Sequence, residues 1–455
     1  MRRILTAALT VACLHAAAAT PRNEFKAGAA KLSITPDAPI WMSGYAGRKS
    51  PSAGAAQEVF VKALAIEDRK GHRVVLITAD LVGLPREITD AVAARLGQQH
   101  KLDRSQILFN ASHTHAGPIV WPNLRVMFAL DATSQRSVED YARRVSESLF
   151  TVATAALGKV APAVLVYGEG TAGFAANRRQ FDKQGKVTFG VNPKGPMDHR
   201  VPVVEVRTAE SGKIERIAIL FGYTCHNTTL GSDYLQLSGD YAGAAQREIE
   251  TRHPGATALF LSLCGADQNP NPRGKAEHVE AHGKSLADAV EAAMAGKTEP
   301  VRAPLRSAFQ MVDLAFAPHA REQFEEELKH PDVYRQRRAK LMLERYDARL
   351  PAGSVPYPVQ AIRFHKDLTV LALGGEVVVD YQLRARREYP AERLMVAGYS
   401  NDVMCYIPSL RVLREGGYEA ETSMIYYGQP GKFTEEVEET VFSTIRRVMK
   451  RVGAR

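Results

Sequence analysis

Short apolar runs alternate with segments of helical periodicity along most of the chain. The apolar runs that predict strands lie at 74–80, 107–109, 163–167, 202–207, 217–221, 258–263, 368–373 and 394–397. Apolar residues spaced by three and four positions predict helices at 86–98, 138–157, 241–252, 277–294 and 435–451. This alternation is typical of an α/β fold in which helices cover one or more mixed sheets.

The same pattern gives no sign of a domain boundary. There is no linker rich in proline, serine or glycine, and no repeat of fixed period. The highly charged stretch 321–349 has helical spacing and predicts a solvated helix pair or hairpin without a site. We therefore expect one large domain over 20–455, with some antiparallel hairpins.

The first residues predict a secretory signal peptide. Met1-Arg2-Arg3 is followed by a short apolar run and by an A-x-A cleavage site, so we expect removal of residues 1–19. Cys13 raises a lipoprotein alternative, but Thr10 stands where a large aliphatic residue is expected. No later apolar run is long enough to span a bilayer. The mature chain is expected to be exported, either periplasmic or secreted.

Charge and cysteine content exclude some classes of function. The formal net charge is +9, but the charges are dispersed and no basic stripe is interleaved with aromatic residues, so nucleic acid is not an expected partner. The excess charge favours peripheral contact with an anionic membrane or cell envelope, or serves solubility alone. Cys225, Cys264 and Cys405 are an odd number without CxxC spacing, which disfavours a disulfide framework and a cysteine-based zinc site.

A histidine pair in residues 110–118 is the strongest candidate for chemistry. His113 and His115 follow the apolar run 107–109, just before the chain turns at Gly117-Pro118. On an extended backbone, residues two positions apart point to the same side. Both imidazoles could therefore serve one metal site or one proton-transfer site, or the segment could be a turn with two exposed histidines.

Four further strands also end in polar clusters, which is where α/β proteins place their sites. The chemistry-bearing members of these clusters are His226, Asp267, Glu376 and Tyr406. Each alone has an ordinary alternative: a satisfied structural histidine, a capped turn, or an acid at a helix N-terminus. Together, imidazoles, a carboxylate and a phenol form an N/O ligand set that suits zinc.

Other catalytic motifs are absent or incomplete. Residues 168–173 match G-x-G-x-x-G, but no clear helix follows and no acidic residue falls at the ribose-binding distance. The sequence has no P-loop, no H-E-x-x-H and no G-x-S-x-G. Dinucleotide binding and these hydrolase classes are therefore disfavoured.

Six short motifs, in order, resemble the neutral, non-lysosomal ceramidases, which are zinc-dependent amidases of N-acylsphingosine. The matching segments are 113–118 (H-T-H-A-G-P), 177–178 (N-R), 226–229 (H-N-T-T), 267–271 (D-Q-N-P-N), 375–376 (G-E) and 397–406, and the opening 25–45 is also similar. The resemblance covers nearly all of the mature chain. It implies hydrolysis of an amide by metal-activated water, on a small amphipathic or lipid-like substrate.

The resemblance also implies roles for individual residues. One Zn²⁺ would be held by His113, His226 and Glu376, with Tyr406 or Asp402 as the last ligand. In addition, Arg178 would stabilise the oxyanion, unless it only pairs with an acid such as Asp198. His115 or Asp267 would carry the proton to the leaving amine, unless Asp267 only orients a ligand histidine.

The sequence departs from the family pattern at three places. Asn269 stands where the family has a serine once proposed as nucleophile, which excludes a serine nucleophile there. Val403 replaces the first of two family tyrosines, so Tyr406 alone remains. The chain ends soon afterwards, so we expect no C-terminal immunoglobulin-like domain. These differences leave open an ester or a carbohydrate conjugate as substrate, a non-catalytic zinc-binding protein, or a metallophosphoesterase.

Overall fold

The computed structural model describes residues 24–209, 215–350 and 352–454. Two sheets pack face to face, and helices cover the outer face of each. The predicted signal peptide at 1–19 lies outside the described residues. Within them, no helix combines the length and apolar character needed to cross a bilayer.

The larger sheet has nine strands and is mostly antiparallel. In spatial order they are Thr257–Ser262, Arg216–Tyr223, Arg200–Thr208, Ala161–Thr171, Phe25–Ser33, Phe60–Asp68, Arg73–Ala79 and Ile107–Ala111, and Glu299–Val301 also pairs with Ala161–Thr171. The outermost strand pair at each edge of this sheet is parallel. One pair is Arg216–Tyr223 with Thr257–Ser262, and the other is Arg73–Ala79 with Ile107–Ala111. Parallel strands end at the same edge of a sheet, so polar residues that follow them are brought to one side.

The smaller sheet has four strands. Their order is Leu305–Ala315, Ser354–Phe364, Leu368–Leu373 and Leu394–Ala397, with the last pair parallel. Two-residue and three-residue strands form the pairs Gly54–Ala55 with Gln236–Leu237, Ala175–Asn177 with Gln268–Pro270, Arg179–Phe181 with Val187–Phe189, and Glu376–Val377 with Tyr406–Ile407.

Side-chain alternation explains the layering. In the strand Phe60–Asp68, Val61, Ala63 and Ala65 face the helix layer, whereas Leu64 and Ile66 face the second sheet. Successive side chains on a strand point to opposite faces, so a strand buried on both sides is apolar throughout. The sheet-to-sheet core therefore consists of apolar residues from both sheets.

The predicted helices lie close to where their periodicity places them. The helix bounds are Arg86–His100, Ala132–Gly158, Asp240–Arg252, Ala276–Ala295, Arg321–Glu327, Val333–Asp347, Val379–Glu388, Leu410–Glu415 and Val437–Arg451, with 3₁₀ turns at Arg104–Gln106, Arg125–Met127 and Thr422–Ile425. The charged stretch forms two helices as expected, Arg321–Glu327 and Val333–Asp347, whereas Val379–Glu388 and Leu410–Glu415 were not predicted. The predicted α/β class with mixed sheets is confirmed, and Cys225, Cys264 and Cys405 are buried and free.

Candidate functional site

The polar clusters that follow the strands meet at one place in the fold. His113 follows the strand Ile107–Ala111, and His226 follows Arg216–Tyr223. Glu376 and Tyr406 are register partners in a short parallel pair that extends the smaller sheet. The ends of both sheets thus supply side chains to one buried cluster.

The histidine pair does not lie on an extended backbone, so that part of the expectation was wrong. The strand ends at Ala111, and His113 has φ 60°, in the left-handed region that non-glycine residues rarely adopt. The imidazoles converge nevertheless, with His113 Nε2 3.0 Å from His115 Nε2. A strained residue of this kind is held in place by its surroundings and is common at functional sites.

Three potential ligand atoms lie at mutual distances that a metal ion would bridge. His113 Nε2 is 3.1 Å from His226 Nε2. Glu376 Oε2 is 3.0 Å from His113 Nε2 and 3.2 Å from His226 Nε2. The Tyr406 hydroxyl is 3.2 Å from His226 Nε2. Ligand atoms around a tetrahedral zinc with bonds of about 2.0 Å are about 3.3 Å apart, so this spacing fits.

Hydrogen bonds to Nδ1 of His113 and His226 determine whether Nε2 of each ring can bind a metal ion. His113 Nδ1 is 2.5 Å from the Val82 carbonyl oxygen, and His226 Nδ1 is 3.2 Å from that of Gly265. A carbonyl only accepts, so each Nδ1 carries the proton and each neutral ring presents a bare Nε2. Glu376 Oε2 is buried with no hydrogen-bond partner. Lone pairs that converge in this way repel one another unless a cation lies between them, so the residues fit zinc.

Electrostatics favour neutral imidazoles here. Burial, together with the positive charge of Arg178, lowers the pKa of His226 to about 3. Burial also sets the pKa of His115 well below its ordinary value. Burial works to raise the pKa of Glu376, but His113 and His226 outweigh it and hold that pKa well below the usual range. Glu376 is therefore held as a carboxylate by positive charge beside it, which a metal ion would supply when the imidazoles are neutral.

His115 differs from the other two histidines. His113, His115 and His226 could together hold a metal ion, since their ligand atoms lie within 4.8 Å of one another. However, His115 Nδ1 is buried without a hydrogen-bond partner, whereas its Nε2 lies 3.0 Å from His113 Nε2. Unlike His113, His115 lines the open pocket. A ring at the pocket with one unpaired nitrogen suits proton transfer better than permanent ligation.

Arg178 lies beside the cluster and is held by a buried acid. Its Nε donates to Glu419 Oε1 at 2.7 Å, and one terminal nitrogen donates to the Tyr406 hydroxyl at 3.0 Å. The other terminal nitrogen is 3.3 Å from Asn269 Oδ1. The predicted alternative partner of Arg178, Asp198, instead pairs with Arg200 at 2.7 Å. Arg178 therefore presents a fixed charge to the pocket.

Three contributors were given no role by the sequence-based prediction. Tyr427 donates to Glu376 Oε1 at 2.6 Å, and the Tyr399 hydroxyl lies 3.4 Å from His226 Nδ1. Glu419 anchors both Arg178 and Arg179. Tyr399 lies in the motif at 397–406, and Glu419 lies in the family-like segment 417–419 that follows it, whereas nothing in the sequence showed that the loop around Tyr427 returns to this cluster.

Asp267 does not reach the histidines. One carboxylate oxygen accepts from the Val379 backbone at 2.9 Å, and the other accepts from Asn177 Nδ2 at 3.1 Å. Its backbone carbonyl accepts from the Arg178 N–H at 2.8 Å. The structure thus gives Asp267 the bonds of a positioning residue for the Arg178 segment. Neither ligand histidine is oriented by it, contrary to expectation.

Asp402 lies in a different cavity from the ligand cluster. It lines a space of about 290 Å³ together with Arg86, Arg125 and Arg345. Only its backbone oxygen approaches the cluster, where it accepts from the Gly375 N–H at 2.7 Å. Of the two predicted alternatives for the fourth ligand, Tyr406 is the one beside the histidines.

The buried Asp402 carboxyl should make stability depend on pH. Burial raises its pKa to about 7, against an unfolded value near 4. Between these values the folded state binds a proton that the unfolded state does not, so the free energy of unfolding falls as pH rises. We expect Asp402→Asn to match wild type near pH 4 and to exceed it by about 2–4 kcal/mol at pH 8, by urea denaturation.

Asp367 provides a control of opposite sign. Burial alone would raise its pKa, but hydrogen bonds from Arg302 lower the pKa of this carboxyl overall. Asp367→Asn should therefore cost stability at pH 8 and cost little at acidic pH. An Asp402→Asn effect of equal size at both pH values would contradict the assignment.

A pocket of about 400 Å³ leads to the cluster. Its charged and polar lining includes His115, Arg178, His226, Asn269 and Arg273, and its aromatic and apolar lining includes Tyr45, Met127, Phe189, Tyr406, Tyr418 and Tyr426. Asn269 Oδ1 also lies 3.4 Å from the Thr228 hydroxyl. The pocket therefore combines polar groups with aromatic surface, which suits an amphipathic ligand.

Comparison with known proteins agrees with this picture. Residues 25–285 match the family model described as neutral/alkaline non-lysosomal ceramidase, N-terminal. Neutral ceramidases of Drosophila pseudoobscura pseudoobscura and Drosophila melanogaster are each 34% identical over 99 residues, which is 21% of this chain and 14% of those proteins. The aligned part therefore spans a small fraction of the curated relatives.

Solved structures extend the likeness to the whole fold. The neutral ceramidase of Pseudomonas aeruginosa aligns over 94% of this chain and 74% of its own, with a TM-score of 0.72 and 19% identity. A structure described as ceramidase complexed with C2 aligns over 92% and 74%, with a TM-score of 0.71 and 19% identity. The fold is shared at low identity, and the family match covers more than half of the sequence. This chain belongs to the neutral/alkaline non-lysosomal ceramidase family.

Proposed function

We propose that the protein is an exported, zinc-dependent hydrolase that cleaves the amide bond of an N-acyl lipid, with N-acylsphingosine as the first candidate. The observation that carries the proposal is the convergence of His113 Nε2, His226 Nε2 and Glu376 Oε2 at the base of a pocket. Family membership supports amide hydrolysis, and the donor set supports zinc.

The proposed chemistry divides between the metal and the chain. Bound zinc would act as a Lewis acid and lower the pKa of a water molecule to about 7. His113, His226 and Glu376 would hold it, with Tyr406 completing the set. His115, whose pKa is lowered by burial and whose Nδ1 has no hydrogen-bond partner, would accept the proton of the attacking water and return it to the leaving amine.

Arg178 would stabilise the negative charge that develops on the carbonyl oxygen. Its guanidinium lies within hydrogen-bond distance of Tyr406, and its bond to Glu419 fixes its direction before substrate arrives. Preorganised donors of this kind contribute more than mobile ones, because they need no reorganisation during the reaction. Asn269 contributes no nucleophile, which is consistent with water as the attacking group.

A second substrate class is favoured by Arg273. This residue lines the pocket, donates to the Tyr45 hydroxyl at 2.9 Å, and forms no ion pair with any carboxylate of the described residues. A guanidinium on the pocket wall without a carboxylate partner favours an anionic group on the substrate, such as the carboxylate of an N-acyl amino acid. It would disfavour the amine released from ceramide.

A substrate panel tests the proposal. The zinc-loaded protein is assayed with N-lauroylsphingosine, N-lauroylglycine and a lauroyl ester, with and without a chelator. We expect at least one N-acyl amide to be cleaved, loss of that activity on chelation, and recovery when zinc is restored. Cleavage of the ester alone, or no cleavage by fully zinc-loaded protein, would contradict amide hydrolysis.

A further inference from the structure

A short hairpin beside the pocket exposes apolar side chains. We define the rim hairpin as residues 179–194, which contain the paired strands Arg179–Phe181 and Val187–Phe189. Phe181 is 44% exposed, Phe189 58% and Val191 48%, and few other large apolar residues of the described chain are as open. Apolar side chains that cluster in this way on a surface mark a binding face more often than those scattered singly.

The base of the hairpin is fixed, so this exposure is built into the fold. Arg179 is buried and pairs with Glu419 at 2.5 Å and with Glu415 at 3.0 Å. Asn192 Nδ2 donates to the Arg179 carbonyl at 2.9 Å, which ties the returning strand to the first. Asp182 accepts from the Gln184 and Lys186 backbones and closes the turn. The apolar side chains therefore project from a rigid support.

The charges on the hairpin are mostly positive. Lys183, Lys186 and Lys194 are exposed, and none forms an ion pair with a carboxylate of the described residues. Asp182 is the acidic residue between them, and its carboxylate is occupied by the turn. Unpaired lysines beside the exposed apolar side chains of Phe181, Phe189 and Val191 are complementary to a surface that is apolar inside and anionic at its boundary.

The hairpin also forms part of the pocket wall. Phe189 lines the pocket, and its ring lies 5.1 Å from the Arg178 guanidinium carbon and 5.0 Å from the Tyr418 ring. Phe189 and Val191 line an adjoining cavity of about 300 Å³ that also touches Arg273. Whatever covers the hairpin therefore lies at the entrance to the candidate site.

We propose that the rim hairpin is a docking surface for an anionic lipid bilayer. Phe181, Phe189 and Val191 would enter the boundary between headgroups and acyl chains, while the lysines contact anionic headgroups. An acidic protein surface would match the lysines, but it would leave the apolar side chains of Phe181, Phe189 and Val191 against a polar surface. Docking in this orientation places the pocket mouth on the membrane, independently of which bond the site cleaves.

Vesicle co-sedimentation tests the apolar contribution. The wild-type chain should bind vesicles of phosphatidylglycerol and phosphatidylcholine, and bind pure phosphatidylcholine far less. Phe181→Ser/Val191→Ser should weaken binding to the mixed vesicles about tenfold or more, because two apolar side chains that the bilayer would bury are lost. Leu32→Ser/Met311→Ser, which changes side chains that are 38% and 39% exposed on the strands Phe25–Ser33 and Leu305–Ala315, should bind as wild type does.

A second variant changes two lysines and keeps Phe181, Phe189 and Val191, so the proposal can still be tested if the first variant fails to fold. Lys183→Gln/Lys194→Gln should weaken binding to the anionic vesicles about fivefold for each lysine and reduce its salt dependence. Lys101→Gln/Lys366→Gln, which alters exposed lysines elsewhere, is the matched control.

The proposal fails if wild-type protein binds anionic vesicles no better than neutral ones. It also fails if folded Phe181→Ser/Val191→Ser binds as wild type does, or if soluble polyglutamate competes fully at matched charge, which would indicate an acidic protein as partner. Vesicle binding is measured without substrate, so these outcomes are separate from the outcome for catalysis.

Discussion

Glu376→Gln should lower kcat/KM for amide hydrolysis at least about a thousandfold, equivalent to about 4 kcal/mol of transition-state stabilisation. Glutamine keeps the volume of the side chain but removes the one carboxylate charge among the described residues that faces Nε2 of both His113 and His226. Without that charge the site should release its metal ion. The measurement is steady-state hydrolysis of the best substrate of the panel, with the metal content of each preparation determined in parallel.

Glu205→Gln is the matched control for this variant. Glu205 is as buried as Glu376, but it lies on the larger sheet and pairs with Arg207 and Arg216. Its replacement should reduce stability and leave kcat/KM per folded molecule within a few fold. If Glu376→Gln retained both its metal ion and near wild-type kcat/KM, the assignment of Glu376 as a ligand would be wrong.

Arg178→Lys should lower kcat about a hundredfold, with much less change in KM. Lysine preserves the positive charge that Glu419 needs, so the buried carboxylate is not left unpaired. It loses the planar fork that reaches Glu419 and Tyr406 together. Because the lost interaction is stronger in the transition state than in the ground state, kcat and kcat/KM should fall together.

A substitution at the neighbouring Arg179 distinguishes a catalytic role of Arg178 from a purely structural one. Arg179 binds the same Glu419 but lines neither the pocket nor the ligand cluster. Arg179→Lys should therefore reduce the denaturation midpoint as much as Arg178→Lys does, and keep kcat within about threefold. Equal losses of kcat in the two variants would mean that Arg178 acts only through the fold.

The sequence predicts the fold best where burial is two-sided. The runs at 368–373 and 394–397 correspond to the strands Leu368–Leu373 and Leu394–Ala397, because a strand covered on both faces is apolar throughout. The strands Phe25–Ser33, Phe60–Asp68, Leu305–Ala315 and Ser354–Phe364 were not predicted. Polar or charged side chains interrupt each of them, at buried positions such as Lys62 and Gln360 as well as at exposed ones, so none reads as a continuous apolar run.

The candidate site was predictable from the places where strands end. His113, His226 and Glu376 each follow an apolar strand, and two sheets bring them together. Tyr427 could not be found in this way, because it lies in a loop after a 3₁₀ turn and reaches Glu376 through tertiary packing alone. Asp402 looked equivalent to Tyr406 in sequence, but its side chain points into another cavity.

The two family positions that differ have separate consequences. Asn269 remains at the pocket and contacts Arg178, so it can influence substrate choice without supplying a nucleophile. Val403 is buried, and its side chain would meet any side chain added at Gly83. Val403 lines the cavity that holds Asp402, which is a different cavity from the one beside the ligand cluster. The ligand cluster therefore forms without a tyrosine at position 403.

The metal centre itself is tested most directly by native mass spectrometry of the purified chain after zinc loading and removal of free ion. The convergence of His113, His226 and Glu376 predicts a mass increase of one zinc ion per chain, and loss of that increase in Glu376→Gln. A chain that retains no zinc, or that binds it equally well after Glu376→Gln, would contradict the existence of this centre.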